Sequence, residues 1–501
     1  MVAGKFSPTG VGCELRYRAS QDPQSPGRKI FFQVAPVQKK SGGWDVMRTV
    51  RRWLAGVVLA AAVLMMPAAG KATEFSLGGY VALYAIWDST QVNSNLSQLI
   101  ARDNDPTMHH GRLKISAERT RMSFTIKGPR LWGAKTSGFI EWDFDNNGQQ
   151  FSMAGTGWAS PHKARVRVRH AMFRLNWPET ELLMGLYHSL ITEDGPEVAK
   201  PGTRGIPGTL WYREPQIRLS QKILGVFDLA VAIADPGCGP DSITSPADQN
   251  AANNTYIGES AETPRLSARI KYEQDLWGKA PYYGRPRGFV ARVAAAWQRS
   301  RYQAVAFNGR MFGPNNYVAV AAAQQSQQYL NPWVVDVGLF IPILTTSTPN
   351  LAGTLSLLTH WYVGRGLDLE KEATANNSSY LLFNNVVGGV RMGERYLAQQ
   401  FGGYVQLQYY LTNQWYVNFL GGMNRVYGVD RDSWIGITGA DPAKYNKHCY
   451  ATLWYRPIQA LKFGVEYAYA RTGYFQKVLT TTQDNDVGEN HRVLFVGFFF
   501  F

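Results

Sequence analysis

The chain closes on His491-Arg-Val-Leu-Phe-Val-Gly-Phe-Phe-Phe-Phe501, and the reading of this stretch decides the fold. At the exposed end of a soluble protein such a strand would present an unpaired apolar edge, an aggregation hazard. It fits where the strand closes a barrel, so that no edge remains and the phenylalanines face lipid. Alternation elsewhere agrees. Phe227, Leu229, Val231 and Ile233 share one face, and Asp228, Ala230, Ala232 and Ala234 the other. Leu266, Ala268, Ile270 and Tyr272 oppose Arg265, Ser267, Arg269 and Lys271; Leu461, Phe463, Val465, Tyr467 and Tyr469 oppose Lys462, Gly464 and Glu466. Period-two patterning of this length marks strands with one apolar and one polar surface.

Counting such segments from Phe75 onward gives about sixteen, an even number as an up-and-down antiparallel barrel requires. They begin near residues 75, 112, 133, 163, 180, 214, 225, 263, 287, 332, 351, 399, 414, 443, 460 and 490. Tight connections such as Asn176-Trp-Pro-Glu179, Thr412-Asn413 and Arg456-Pro-Ile-Gln459 alternate with long ones near 89–111, 192–213, 236–262, 303–331, 365–398 and 473–489. With both termini on one side, all long connections are expected at the opposite end. Parity slips within the second segment, between Leu113/Ile115 and Met122/Phe124/Ile126, which reads as a bulge or as a strand rising above the membrane. A large soluble sandwich or solenoid would also alternate, but needs neither the terminal aromatics nor the loop asymmetry.

Composition points the same way. The 501 residues include 15 Trp, 26 Tyr, 24 Phe and 49 Gly, and a mean hydropathy of -0.24 is too polar for a bundle of membrane helices. A barrel accounts for both, since alternate residues meet a wet lumen while aromatics girdle the interfaces. Trp142, Trp333, Trp361, Trp415 and Tyr467 read as lipid-facing or interfacial anchors.

One stretch is continuously apolar, Trp53 to Ala69, preceded by Arg48, Arg51 and Arg52 and followed by Gly70-Lys71-Ala72. Basic start, short apolar run and small residues are the layout of a cleaved secretory leader over 47–72. The run is short for a membrane anchor. Because this leader begins at Met47, residues 1–46 are expected to be an untranslated extension from a misplaced start; the mature barrel would cover 73–501. Peptides from 1–46 in a map of the purified precursor would refute that start. Removing residues 1–72, with 11 Lys and Arg and 3 Asp and Glu, lowers the net charge from +15 to +7. The case for a nucleic-acid partner fades accordingly. Cys238 and Cys449 remain, and a disulfide between them is open in an oxidising compartment. There is no metal-ligand spacing and no cofactor motif.

The chemistry resides in charged rows. Lys163, Arg165, Arg167 and Arg169 fall on one face of a strand and cannot face lipid, where each would cost roughly 2–4 kcal/mol at the midplane. The preceding strand carries Glu141, Asp143 and Asp145 at the same period, and the one before it Arg119, Arg121 and Lys127. Carboxylates and guanidinium groups of this kind form a salt-bridged wall, with seven cations against three carboxylates. Arg218, Lys222, Arg265, Arg269, Lys271 and Arg292 extend a basic lumen, which would concentrate anions.

Several stretches resemble the trimeric outer-membrane porins, most closely the dicarboxylate-type (DcaP-like) porins. They are Thr120-Arg-Met-Ser-Phe-Thr-Ile-Lys-Gly128, Arg167-Val-Arg-His-Ala-Met-Phe173, Gly185-Leu-Tyr-His188, Arg213-Glu-Pro-Gln-Ile-Arg218, and Tyr455-Arg-Pro with Phe463-Gly-Val-Glu-Tyr467. The terminal strand also resembles the signal read by the barrel assembly machinery, through Phe501. The resemblance implies a bacterial outer-membrane homotrimer of sixteen-stranded barrels whose third external loop, here 192–213, folds inward. Glu193, Asp194 and Glu197 would then face the basic wall across the constriction, and Lys200, Arg204 and Arg213 would add anion contacts. Trp211 and Tyr212 would pack against an aromatic or aliphatic solute. One departure is that only Thr73-Glu74 precedes the first strand, where family members often carry a coiled coil.

The expected function is passive diffusion of small anions, with dicarboxylates implied by resemblance alone. A barrel hydrolase would need a nucleophile held by a base. The eight histidines offer no such constellation; His188-Ser189 is merely adjacent. A structural or adhesive barrel using its long loops is the other alternative.

Overall fold

The computed structural model describes residues 74–90, 101, 109–145, 166–192, 194–201, 205–236, 261–303, 306–308, 327–367, 379–387, 390–427, 443–474 and 487–501. Sixteen crossings form one closed antiparallel sheet. They are β1 (Glu74–Asp88), β2 in two pieces (Arg112–Ser116 and Arg121–Leu131), β3 (Ala134–Asp143), β4 (Arg167–Asn176), β5 (Thr180–His188), β6 (Arg213–Ile223), β7 (Phe227–Ala234) and β8 (Arg265–Gln274). The second half comprises β9 (Phe289–Trp297), β10 (Trp333–Leu344), β11 (Leu355–Arg365), β12 (Gln399–Tyr410), β13 (Trp415–Tyr427), β14 (Ala443–Ile458), β15 (Leu461–Tyr474) and β16 (Val487–Phe500). Each pairs with its neighbours in order, and β16 returns to β1 from Tyr80↔Phe500 to Asp88↔Arg492. The parity slip inside β2 is a break at Ala117–Thr120, on either side of which both pieces pair with β1.

The two faces follow the alternation. On β1, Val81, Leu83 and Trp87 are exposed outward, while Ala82, Tyr84 and Ile86 are buried inward. Trp333, Trp361, Trp415 and Tyr467 all lie on the exposed outer surface. An outer skin this apolar belongs in hydrocarbon, so the sheet reads as a membrane-spanning barrel. The terminal aromatics divide: Phe495, Phe499 and Phe501 are exposed outside, whereas Phe498 turns inward against Tyr80, with centroids 5.3 Å apart, and Phe500. Three of the five therefore face lipid. Nor is the inner surface uniformly polar, since Tyr84, Ile86, Tyr410, Tyr416, Trp454, Leu494 and Val496 pack together on one inner sector.

One expectation about connections needs correction. The link 275–288 lies at the end that carries both termini, yet it is long and contains a hairpin, Ala280–Tyr282 with Arg285–Arg287. Long connections are thus not confined to the opposite end. Cys449 is a free thiol on the outside of β14, and Cys238 lies outside the described residues.

At the closing seam the Arg492 guanidinium donates to both oxygens of Asp88, at 2.7 and 3.0 Å, and Arg112 adds a third bond of 2.8 Å. Arg492 and Asp88 are fully buried, so the pair stands or falls together. Arg492→Ala is expected to cost roughly 3 kcal/mol, read as an earlier loss of the folded band on heating in detergent. A midpoint equal to that of the parent would refute the role assigned to this pair.

Candidate functional site

The third external connection, 189–212, folds into the barrel. Its contacts begin where small side chains line the wall. Leu190 packs on Ala230 and Ala232 of β7, and Ile191 and Leu210 sit among Ala294 and Ala296 of β9, Val334 of β10 and Tyr362 of β11. Ile206 continues to Phe340, Tyr404 and Leu420, and Ala199 reaches Tyr84, Trp454 and Leu494. Among the described residues these contacts sweep from β7 round through β15 to β1. They leave out β2, β3 and β4.

A loop buried this way must find partners for its backbone. The wall supplies them from side chains. Gln406 donates to the Glu197 carbonyl at 2.7 Å and accepts from the Glu197 amide at 3.0 Å. Asn418 donates to the same carbonyl at 2.9 Å, and the Glu466 carboxylate accepts the amides of Ala199 and Lys200 at 2.7 and 3.1 Å. On β9, Arg292 donates to the Ile191 carbonyl at 2.7 Å while paired with Asp336 at 2.5 Å.

Glycines let the two backbones touch. A Cβ on Gly422 would lie 2.3 Å from the Pro207 carbonyl oxygen, and one on Gly208 would lie 2.0 Å from that of Gly403. Gly208 also has φ of 87°, a conformation side chains resist. The loop is thus seated on β12 and β13 at points where no other residue fits.

This seating alters the expected electrostatics. Glu197 does not face the basic wall: it is buried on the opposite side, accepting from Tyr416 at 2.9 Å and Gln408 at 2.5 Å and paired with Lys462. Asp194 pairs with Arg287 at 3.0 Å; burial opposes its charge, but Arg287 and Arg292 hold its carboxyl below the usual range. The stability it contributes is complete above the ordinary carboxylate pKa of about 4 and is lost as pH falls through the depressed value. Lys200 is buried at 1% exposure and presents no charge to a passage. Glu193 and Arg204 lie outside the described residues. Trp211 stacks under Arg213, 4.4 Å from its centroid, and Tyr212 under Arg265 at 5.5 Å, so both rings are already engaged.

The uncovered wall carries the predicted arginines. Arg119 pairs with Asp145 at 2.8 Å, Arg167 with Asp143 at 2.7 Å and Arg169 with Glu141 at 2.6 Å. Arg121 reaches Glu141 only at 3.6 Å and Arg218 reaches Glu181 only at 3.7 Å; Arg265 and Arg269 pair with Glu214 and Asp228. Arg213 has no carboxylate partner among the described residues, so of these eight guanidinium groups seven share six carboxylates. Lys127 belongs elsewhere, pairing with Glu74 in an exposed contact, and Lys163 and Arg165 lie outside the described residues. The positive excess is therefore smaller than the row count implied. Arg218 nevertheless keeps Nε and Nη1, and Arg121 its Nε, buried without a protein partner.

Sequence reasoning missed Glu466, Gln406, Asn418, Asp336 and His360 as groups that hold the loop, and read Arg292 as lumen lining alone. Their signal was the polar face of β10 to β15, legible as lumen but not as loop receptor. His170 and His188 pack with ring centroids 4.6 Å apart, and Ser189 Oγ accepts from the Ile191 amide at 3.2 Å, serving the turn.

Gly422→Val should lift the loop from its seat while leaving the sheet intact. The expected readout is protease cleavage within 189–212 of a variant whose barrel still resists detergent. A cleavage pattern like the parent's would contradict the seating.

No family model matches the sequence, and no curated protein matches it. Among solved structures, the outer membrane channel DcaP of Acinetobacter baumannii is similar over 85% of this chain and 97% of its own, with TM-score 0.57 and 16% identity. An anion-selective porin from Comamonas acidovorans follows at 7% identity and TM-score 0.48, covering 85% of this chain and 99% of that one. At this identity the first likeness speaks for architecture alone: the chain has the fold of an outer-membrane porin barrel.

Proposed function

We propose that this chain is an outer-membrane porin of a Gram-negative bacterium, passing small and preferentially anionic solutes by diffusion. A closed barrel with an apolar skin, an inward-folded loop on one side and an arginine wall on the other supports a water-filled path along β2 to β4, the strands the loop leaves uncovered. The observation that carries the anion preference is the set of uncommitted donors on Arg121 and Arg218, buried in a wall whose cations outnumber its carboxylates. Charge left uncompensated in such a wall raises the local anion concentration. The Debye length of about 8 Å at physiological salt means the preference should fade as salt rises. The leader read over 47–72 supports export, the strand ending at Phe501 supports delivery by the barrel assembly machinery, and the sequence stretches that resemble the trimeric dicarboxylate-type porins support a homotrimer and dicarboxylates among the solutes.

Planar-bilayer recording tests this. The purified barrel should give stable conductance steps with a reversal potential displaced toward anions in a salt gradient. Replacing Arg121 and Arg218 together by Gln should move that potential toward cations while steps persist. Unmoved selectivity would refute the wall's role, and a silent barrel would refute the porin reading. Comparing chloride, phosphate and dicarboxylate salts then ranks the solutes.

A further inference from the structure

The hairpin within 275–288 has no role in the porin reading, which rests on the external loop and the arginine wall. Tyr283 and Gly284 both have positive φ, 49° and 77°, the requirement of a tight two-residue turn. Pro281 faces Pro286 across it, so the ribbon cannot recruit a further strand. It folds inward: Ala280 is fully buried in the core that includes Val290, Phe340 and Leu358, Tyr282 packs on Phe340 with centroids 5.7 Å apart, and Ser356 Oγ donates to the Pro281 carbonyl at 2.7 Å.

The reach of the turn matters most. A Cβ on Gly284 would lie 3.5 Å from the Tyr410 hydroxyl of β12 and 3.4 Å from Arg456 Nη1 of β14. A ribbon that leaves between β8 and β9 and arrives at β14 passes across several intervening strands, and so spans part of the barrel mouth. It also meets the external loop. Tyr283 Oη donates to the Pro196 carbonyl at 2.9 Å, and Arg287 bridges Asp194 at 3.0 Å and Glu273 at 3.2 Å. At the tip, Arg285 is exposed, and neither it nor Arg456 has a carboxylate partner among the described residues.

We propose that Ala280–Arg287 is a second selectivity element, inserted from the end opposite to the folded loop and joined to it. A solute then crosses two narrowings in series, and Arg285, exposed at the tip, is the anion contact of the second. The ligand class is a small anion bearing carboxylate or phosphate oxygens, which guanidinium groups recognise at hydrogen-bonding range.

The full-length chain in planar bilayers tests this, as parent, as a variant with Ala280–Arg287 replaced by a short Gly-Ser turn, and as Arg285→Glu. Detergent resistance on gels scores folding of each. The turn replacement is expected to raise single-channel conductance roughly twofold, as widening a series constriction should. Arg285→Glu, at an exposed position, is expected to shift the reversal potential toward cations. Parental conductance in a folded turn replacement would overturn the second narrowing; a parental reversal potential in Arg285→Glu would overturn its charge contact. Either result in a conducting parent leaves the porin reading standing, whereas a parent that never conducts removes both.

Discussion

Hydrocarbon offers no hydrogen bonds, and that one constraint organises the whole molecule. Every amide and carbonyl crossing the membrane must be satisfied within the protein, which for strands requires a sheet that returns on itself. Closure is therefore the event on which all else depends, and β1 meeting β16 is where it happens. The chain reinforces that seam on its inner side with the Arg492–Asp88–Arg112 bonds and with the aromatic packing of Tyr80, Tyr84 and Phe498. On its outer side Phe495, Phe499 and Phe501 meet the membrane.

A closed sheet of this size encloses more room than its own side chains fill, and the interior is shaped by what enters it. The external loop carries peptide groups into a space walled by low dielectric, where an unpaired one would cost about 1–3 kcal/mol. Gln406, Asn418, Glu466 and Arg292 answer those groups one by one. Burial of Glu197 and Asp194 against cations of the same walls follows the same logic, since a charge is tolerated inside only when paired. The polar residues of β12 to β15 thus serve mainly as a receptor for backbone. The cations of β2 to β4, with Arg218 of β6, are the ones left for solutes.

Much of this was legible in the sequence because period-two patterning is local. Segment starts near 112, 180, 399 and 443 fall at the observed strand beginnings, since one face of each strand had to be apolar. The arginine rows were legible for the same reason: no guanidinium row can face lipid. What stayed hidden depends on distant pairings. Nothing around Glu197 says that its partners lie at 406, 418 and 462, and its charge alone suggested the opposite wall. The alanine faces Ala230–Ala232 and Ala294–Ala296 did carry a hint, because a wet lumen has no use for small apolar side chains, but a packed loop does. The Tyr283-Gly284 turn and its inward course were not read from the sequence.

The seat of the external loop also orders the making of the protein. The amides of Ala199 and Lys200 are held by Glu466, 267 and 266 residues further along the chain. During assembly the loop is therefore made long before its receptor is complete, and its fastening cannot be finished until β15 is in place. Contacts this distant in the chain are slow to form, because the entropy of the intervening segment is lost before they stabilise anything. A newly inserted barrel would accordingly pass through a wide-bore stage, narrowing only as its final hairpin docks.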